Sequence, residues 1–308
     1  MKLSHLLVFG SINVDLVTKV DRLPGQGETI FSDTFLIENG GKGANQAVAA
    51  ARLGAEVSMI GRVGSDDFGR QVIQNLESES VDTGMITEDK DHSTGIALIT
   101  VDSQSQNTIV VSSGANMNCG ESELNAIEAS LPSANCLIIQ NEVPYKVNVE
   151  AARLARLNEV PVVWDPAPFI GQADELIGHV DFLTPNHKEA ELLANFEITD
   201  EQSIHQALLK IKKSSEAVCF ITMGEDGVYF LSGSELDHMP SCPVASVDSV
   251  AAGDAFTGGL SVSISEGKSL RVAARIGCAA GALATSKMGA QSAMPFRPEV
   301  DQLVDQNF

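Results

Sequence analysis

The sequence predicts an α/β fold, a doubly wound and mostly parallel sheet flanked by helices. Three observations predict it. Short apolar runs alternate along the 308 residues with helix-length segments. Most of these runs open, at their carboxyl ends, into polar or glycine-rich residues. Two stretches break the alternation with hairpin texture and point to a small second sheet outside the core.

Leu6 to Phe9 is a continuous apolar run, which suits a strand buried on both faces. It leads into Gly10-Ser11-Ile12-Asn13-Val14-Asp15, where Asn13 and Asp15 stand two apart and share one side of an extended chain. Leu16 to Asn39 carries Pro24-Gly25 and Gly27 and reads as an excursion of antiparallel strands. Ser93 to Ser113 is a second such excursion, with a polar turn at Asp102 to Asn107. Such a sheet could be a lid, a dimer surface or hairpins packed on the core.

Gly40 to Gly54 is a glycine-rich loop feeding an Ala-rich helix, with Lys42 and Asn45 at its mouth. It is not a Walker A loop, since Gly43 follows the lysine where Ser or Thr is needed. Strands are then expected at Val57–Ile60, Leu137–Gln140, Val160–Trp164, Val180–Thr184 and Val218–Thr222. Helices are expected at Phe68–Ser80, Lys146–Asn158, Lys188–Asn195 and Ser203–Ser214. The strand ends carry Glu142, Asp165, Asn186 with Glu189, and Thr222-Met223-Gly224-Glu225-Asp226-Gly227. Polar ends in register imply a crevice along the strand tips.

Composition narrows the function. A formal net charge of −21 argues against nucleic-acid partners, which need clustered Lys and Arg. No run approaches the ~18 apolar residues of a membrane span. Five scattered cysteines without a CxxC pair fit neither a metal-thiolate site nor a disulfide frame, and point to the cytoplasm.

In Val247 to Leu260, an alternating segment passes through Ala251-Ala252-Gly253 into a helix whose apolar face holds Phe256, Leu260 and Ile264. Asp254 sits at the helix start, beside amides suited to an anion. Two readings stand: an ordinary N-cap, or a base that takes a proton from a hydroxyl attacking a phosphoryl group.

Taken together, these residues resemble the ribokinase branch of the PfkB-type sugar and nucleoside kinases. The resemblance spans nearly the whole chain. It rests on Gly10 to Asp15, Gly40 to Ala47, Ser93-Thr94-Gly95, Glu142, Thr184-Pro185-Asn186 with Glu189, Asp248 to Gly259, and Gly289-Ala290-Gln291. It implies a single α/β domain over 1–308 with a small β-sheet lid, its strands at about 14–39 and 93–113, and a homodimer formed through the lids. It also implies ATP-dependent phosphorylation of a sugar, D-ribose at its 5-hydroxyl. Deoxyribose, a ketohexose or a nucleoside is the alternative substrate, and a sugar-binding regulator without catalysis a remoter one. Asn13 favours ribose over deoxyribose, because members acting on deoxyribose tend to carry an apolar residue there.

By this resemblance Asp254 is the catalytic base, and the amides of Ala251, Ala252, Gly253 and Asp254 form an anion hole. Asn13, Val14, Asp15, Gly41, Lys42, Gly43, Ala44, Asn45 and Glu142 would hold the sugar. Asn186, Thr222, Met223, Gly224, Glu225, Asp226, Gly227, Gly253 and Cys278 would line the ATP site. Glu189 would hold Mg²⁺ through water. A monovalent cation such as K⁺ would sit among Asp248, Val250, Ala284, Lys287, Gly289 and Ala293. Three residues depart from the family pattern. Ala293 replaces a common Ser and weakens one K⁺ ligand, Cys278 replaces a common His near the adenine, and Asp165 replaces the usual Asn before Pro-Ala-Pro. Cys278 is equally readable as a small core thiol.

Overall fold

The computed structural model describes residues 3–307 except 33, 105 and 170. Residues 33 and 105 belong to the two predicted excursions and lie outside the described residues. The chain starts with β1 (His5–Phe9), β2 (Asn13–Lys19), β3 (Thr34–Gly40), α1 (Lys42–Arg52), β4 (Glu56–Gly64), α2 (Asp67–Ser78) and β5 (Val81–Asp89). Next come β6 (Gly95–Val101), β7 (Asn107–Ser112), α3 (Glu121–Ser130), β8 (Cys136–Gln140), α4 (Tyr145–Leu157) and β9 (Val162–Asp165). They are followed by β10 (Phe182–Leu183), α5 (His187–Ala194), α6 (Glu201–Ser214), β11 (Val218–Cys219) and β12 (Ile221–Thr222). The last elements are β13 (Val228–Ser232), β14 (Glu235–Met239), α7 (Ala252–Ser265), α8 (Leu270–Thr285) and α9 (Arg297–Asn307).

The main sheet runs β11-β10-β9-β8-β1-β4-β5, and every neighbouring pair is parallel. Its strands are covered on both faces. Leu6 and Val8 pack into the layer formed with α1, α7 and α8, while Leu7 and Phe9 pack into the layer formed with α4 and α6. That is why β1 reads as an unbroken apolar run: successive side chains enter opposite cores. Each such burial stabilises the fold by about 1.5–3 kcal/mol. From β1 the chain winds first toward β5 and later, from β8, toward β11. The reversal falls between β1 and β8, so a crevice opens at their carboxyl ends.

A four-stranded sheet of order β3-β2-β6-β7 stands apart from the core sheet. The sequence texture implied antiparallel strands. The two hairpins are antiparallel, but they join through the parallel pair β2–β6. β2 follows the carboxyl end of β1 and β6 follows that of β5, so both leave the core sheet in the same direction.

Val218 to Thr222 was expected to form one strand, but the chain changes sheets within it. β11 closes the main sheet and β12 opens a small sheet of order β12-β13-β14, with fully buried Phe220 between them. The switch carries Thr222 beside Asn186, where the two make a parallel bridge and the Thr222 N–H donates to Pro185 O at 2.9 Å. β5, α3, α8, α9 and the β13–β14 hairpin were not among the expected elements.

Two close approaches set the position of α1. A methyl group on Gly43 would come within 2.7 Å of Gly10 C and 2.8 Å of Ser11 N. A methyl group on Gly258 of α7 would come within 2.7 Å of Ala49 Cβ on α1. The helix therefore lies hard against both the end of β1 and the flank of α7. Gly43→Ala is expected to destabilise the protein by about 1–3 kcal/mol through overpacking, read as a lower midpoint in thermal unfolding. An unchanged midpoint would mean that α1 is free to lift from the strand end.

Candidate active site

Asp254 is the third residue of α7, and its carboxylate does not cap that helix. The N-cap is Ala251, in the left-handed region at φ 58°, a costly conformation for a residue with a Cβ. The Asp254 carboxylate accepts from Asn45 Nδ2 and Gln46 Nε2 of α1, each at 2.9 Å. The capping alternative is thereby replaced by a carboxylate clasped between two helices. Only 5% of Asp254 is exposed, and that part borders a cleft of about 1320 Å³.

The cleft gathers most of the residues expected around a nucleotide. Asn186, Thr222, Met223, Gly224, Glu225, Gly227, Gly253 and Cys278 line it, together with Lys42, Ala251 and Ala252. Asp226 does not line it; its carbonyl accepts from His238 Nε2 at 2.6 Å. The far wall, Ser241 to Val244 with Gly281, Ala282 and Thr285, was missing from the sequence reading. Its residues are small or weakly polar and carry no chemical signature. At the helix mouth, the Ala252 N–H bends back to Ser249 O at 3.3 Å, and the α7 ladder begins with Ala255 N–H to Ala251 O at 2.9 Å. Gly253 and Asp254 lie between them, their N–H groups preceding the ladder.

The residues expected around a sugar fall into two groups. Asn13, Asp15, Lys42, Asn45 and Glu142 bring side chains to the carboxyl ends of β1 and β8. Val14 and Ala44 point instead into the apolar core. The first amides of α1 are already engaged: Lys42 N–H donates to Glu142 Oε2 at 3.2 Å, Gly43 N–H to Ser11 Oγ at 3.4 Å and Ala44 N–H to Ser11 O at 2.9 Å. This helix start is therefore tied to the protein, whereas that of α7 opens on the cleft. Asn116 was also missed. It donates from Nδ2 to Asn13 Oδ1 at 2.7 Å and accepts from Ile12 N–H at 2.9 Å, which leaves Asn13 to act through its own NH₂.

Charge is concentrated here. Burial disfavours the Lys42 ammonium, but Asp254, Asp165, Glu142 and Glu189 outweigh it and hold the group above its ordinary value. Burial, then Glu142, Glu38 and Asp254, push the Asp15 carboxyl up to about 7. Burial also raises Glu189, although it shares a capping box with Asn186: Asn186 N–H donates to Glu189 Oε2 at 2.9 Å and Glu189 N–H to Asn186 Oδ1 at 3.0 Å. Asp248 ties two distant segments together, accepting from Val250 N–H at 3.1 Å and Gly289 N–H at 3.2 Å. The expected cation neighbours Val250 and Gly289 thus meet at one carboxylate. Among the described residues, no cluster of three or more His, Cys, Asp or Glu side chains suits a metal ion.

An acidic cradle for hydroxyls, a clasped carboxylate and a nucleotide-sized cleft define a small-molecule phosphotransferase. The sequence matches the pfkB family carbohydrate kinase model over residues 3–297, and the chain belongs to that family. It is 39% identical to a ribokinase of Haemophilus influenzae over 97% of this chain and 98% of that one. It is 37% identical to a ribokinase of Bacillus subtilis over 97% and 99%. The structure of Arabidopsis thaliana ribokinase complexed with ribose and ATP superposes with a TM-score of 0.90 at 30% identity, covering 100% of both chains.

The raised Asp15 fixes the sign of a pH effect. Its folded-state value lies above the unfolded one, so its contribution to stability is complete below about pH 4 and is lost as pH rises through about 7. Asp15→Asn removes that loss. Measured without sugar, the variant's thermal midpoint should gain on the wild type between pH 4 and 7.5, by on the order of a few degrees. A difference that does not vary with pH would show that Asp15 ionises normally.

Proposed function

We propose that this chain is a ribokinase, transferring the γ-phosphoryl group of ATP to the 5-hydroxyl of D-ribose. The observation that carries the reading is the place of Asp254. Its carboxylate stands where the cleft meets the cluster of Asn13, Asp15, Lys42, Asn45 and Glu142, so two substrates would touch there. The carboxylates and amides of that cluster suit vicinal hydroxyls. Asn13 would donate its NH₂ to the 2-hydroxyl, a bond that a deoxy sugar cannot make. The cleft would take ATP with the adenine along Cys278 and the wall from Ser241 to Val244.

In the reaction, Asp254 accepts the proton of the 5-hydroxyl as its oxygen attacks the γ-phosphorus, and ADP leaves. Asn45 and Gln46 keep the carboxylate aimed during this step. The Gly253 and Asp254 amides, with Lys42, balance charge on the phosphoryl oxygens as it forms. The acidic surplus around Lys42 fits a magnesium nucleotide, whose metal Glu189 and Asn186 would hold through water. Mg²⁺, when bound with ATP, neutralises phosphate charge. The Asp248 tie fits a K⁺ site built from backbone carbonyls of Val250, Ala284, Gly289 and Ala293, in which the carboxylate sets the spacing of the two segments. A filled cation site would steady the Ala251 to Gly253 turn.

The test is ADP release against D-ribose, 2-deoxyribose and a ketohexose, with and without K⁺, for the wild type and Asp254→Asn. Ribose should give the highest kcat/KM, and K⁺ should raise it. Asp254→Asn should keep ribose binding while kcat falls by at least ~10²–10⁴. Turnover near that of the wild type would remove Asp254 as the base, and preference for another sugar would remove ribose.

The four-stranded sheet would be the lid and the dimer surface. Phe35, Ile37, Leu98 and Val110 are exposed on one face of it and Leu36, Ile109 and Val111 on the other, and a second copy would cover the first of these faces. Sedimentation should show a dimer for the wild type and a monomer for Val110→Glu. Monomeric wild type at micromolar concentration would exclude the lid dimer.

A further inference from the structure

Behind Asp254 lies a second carboxylate that the proposed reaction does not use. Gln46 Nε2 donates to Asp254 Oδ1 at 2.9 Å and to Asp165 Oδ2 at 2.8 Å, so one amide nitrogen joins the two acids. Its orientation is fixed from behind, because Gln46 Oε1 accepts from Gln140 Nε2 at 2.7 Å. Gln140 has no exposed surface and stands directly across from Asp165 in the β8–β9 register. The remaining acceptors of this nest, Gln140 Oε1 and Asn45 Oδ1, are buried without a hydrogen-bond partner. Two carboxylates bridged by one NH₂ and flanked by two unpaired acceptors form a group rich in acceptors and short of donors. A single added proton on a carboxylate removes the like-charge conflict of the bridged pair.

We propose that Asp165 is a positioning residue for the transfer step: as a neutral acid it shares Gln46 with Asp254 and leaves Asp254 the one anionic carboxylate of the pair, and its ionisation stops turnover. The proton belongs on Asp165 because Asp254 lines the cleft while Asp165, exposed to the same small extent, does not. Of the charges facing Asp165, Lys42 favours its ionisation, and Glu189 and Asp254 oppose it. Burial comes first among the causes and holds the carboxyl well above the usual carboxylate range. Once ionised, Asp165 draws the Gln46 amide toward itself and sets a second buried charge behind the phosphoryl group. The step lost is the orientation of the base, so kcat falls while ribose affinity holds.

The inference rests on Asp254 as the base, which Asp254→Asn tests separately. Its own test compares the wild type with Asp165→Asn, which cannot ionise, in kcat and ribose KM from pH 6 to alkaline pH. The wild-type kcat should fall on the alkaline side by about tenfold per pH unit with ribose KM unchanged, and Asp165→Asn should lack that limb. Superimposable profiles would overturn the proposal even if Asp254→Asn is inactive. A second measurement does not need that variant to fold. In ¹³C-carboxyl-labelled Asp15→Asn protein, one aspartate resonance should remain protonated at neutral pH and titrate with the alkaline fall in wild-type kcat. A spectrum in which every aspartate is ionised by neutral pH would overturn it.

Discussion

The clasp between α1 and α7 is the constraint on which the rest of the site depends. Two amide side chains of one helix hold a carboxylate of the other, and the helices approach closely enough only because Ala49 faces Gly258. The same helix start is tied to β1 through Ser11 and to the end of β8 through Glu142. One helix therefore relates the sheet, Glu142 and the Asp254 carboxylate to each other. A larger side chain along either seam would displace all three together.

The electrostatics follow from that packing. Lys42 lies amid several acids, and the raised Asp15, Asp165 and Glu189 all report a pocket with more carboxylates than it can leave charged. Such a pocket repels a bare polyphosphate and accepts one whose charge a cation has reduced. A net charge of −21 over the whole chain acts in the same direction at longer range. Electrostatic capture would then be a poor account of the proposed nucleotide binding, which would rest on shape and on the open helix start of α7.

Much of the fold was legible, for reasons that can be named. The core strands bury both faces, so Leu6 to Phe9 and Leu137 to Gln140 stand out as strands, and the helices between them stop at glycine or polar residues. The change of sheet at Phe220 was hidden, because a continuous apolar stretch looks alike whether one sheet or two receives it. α8 was readable and was missed: its apolar period is as pronounced as those of α4 and α6. In the site, Asp254 and Lys42 were visible because charge beside glycine is rare in a core. Asn116 and the pair Gln46–Gln140 were not, since neutral amides acting on other side chains leave no spacing rule in the sequence. Val14 and Ala44 show the opposite limit: a motif names neighbours, and burial decides which of them face the ligand.

The clasp also joins residues 209 and 208 positions apart along the chain. Contacts of that separation form slowly, since a long loop must close before they stabilise anything. During synthesis the glycine loop, β1 and the strands of the four-stranded sheet emerge long before α7. Until then Asn45 and Gln46 lie on a helix whose apolar neighbours lack the cover of α7 and α8. The nascent chain therefore carries an exposed Ala-rich seam with two amides in it until α7 covers it. The clasp closes only when α7 docks on the earlier part of the chain.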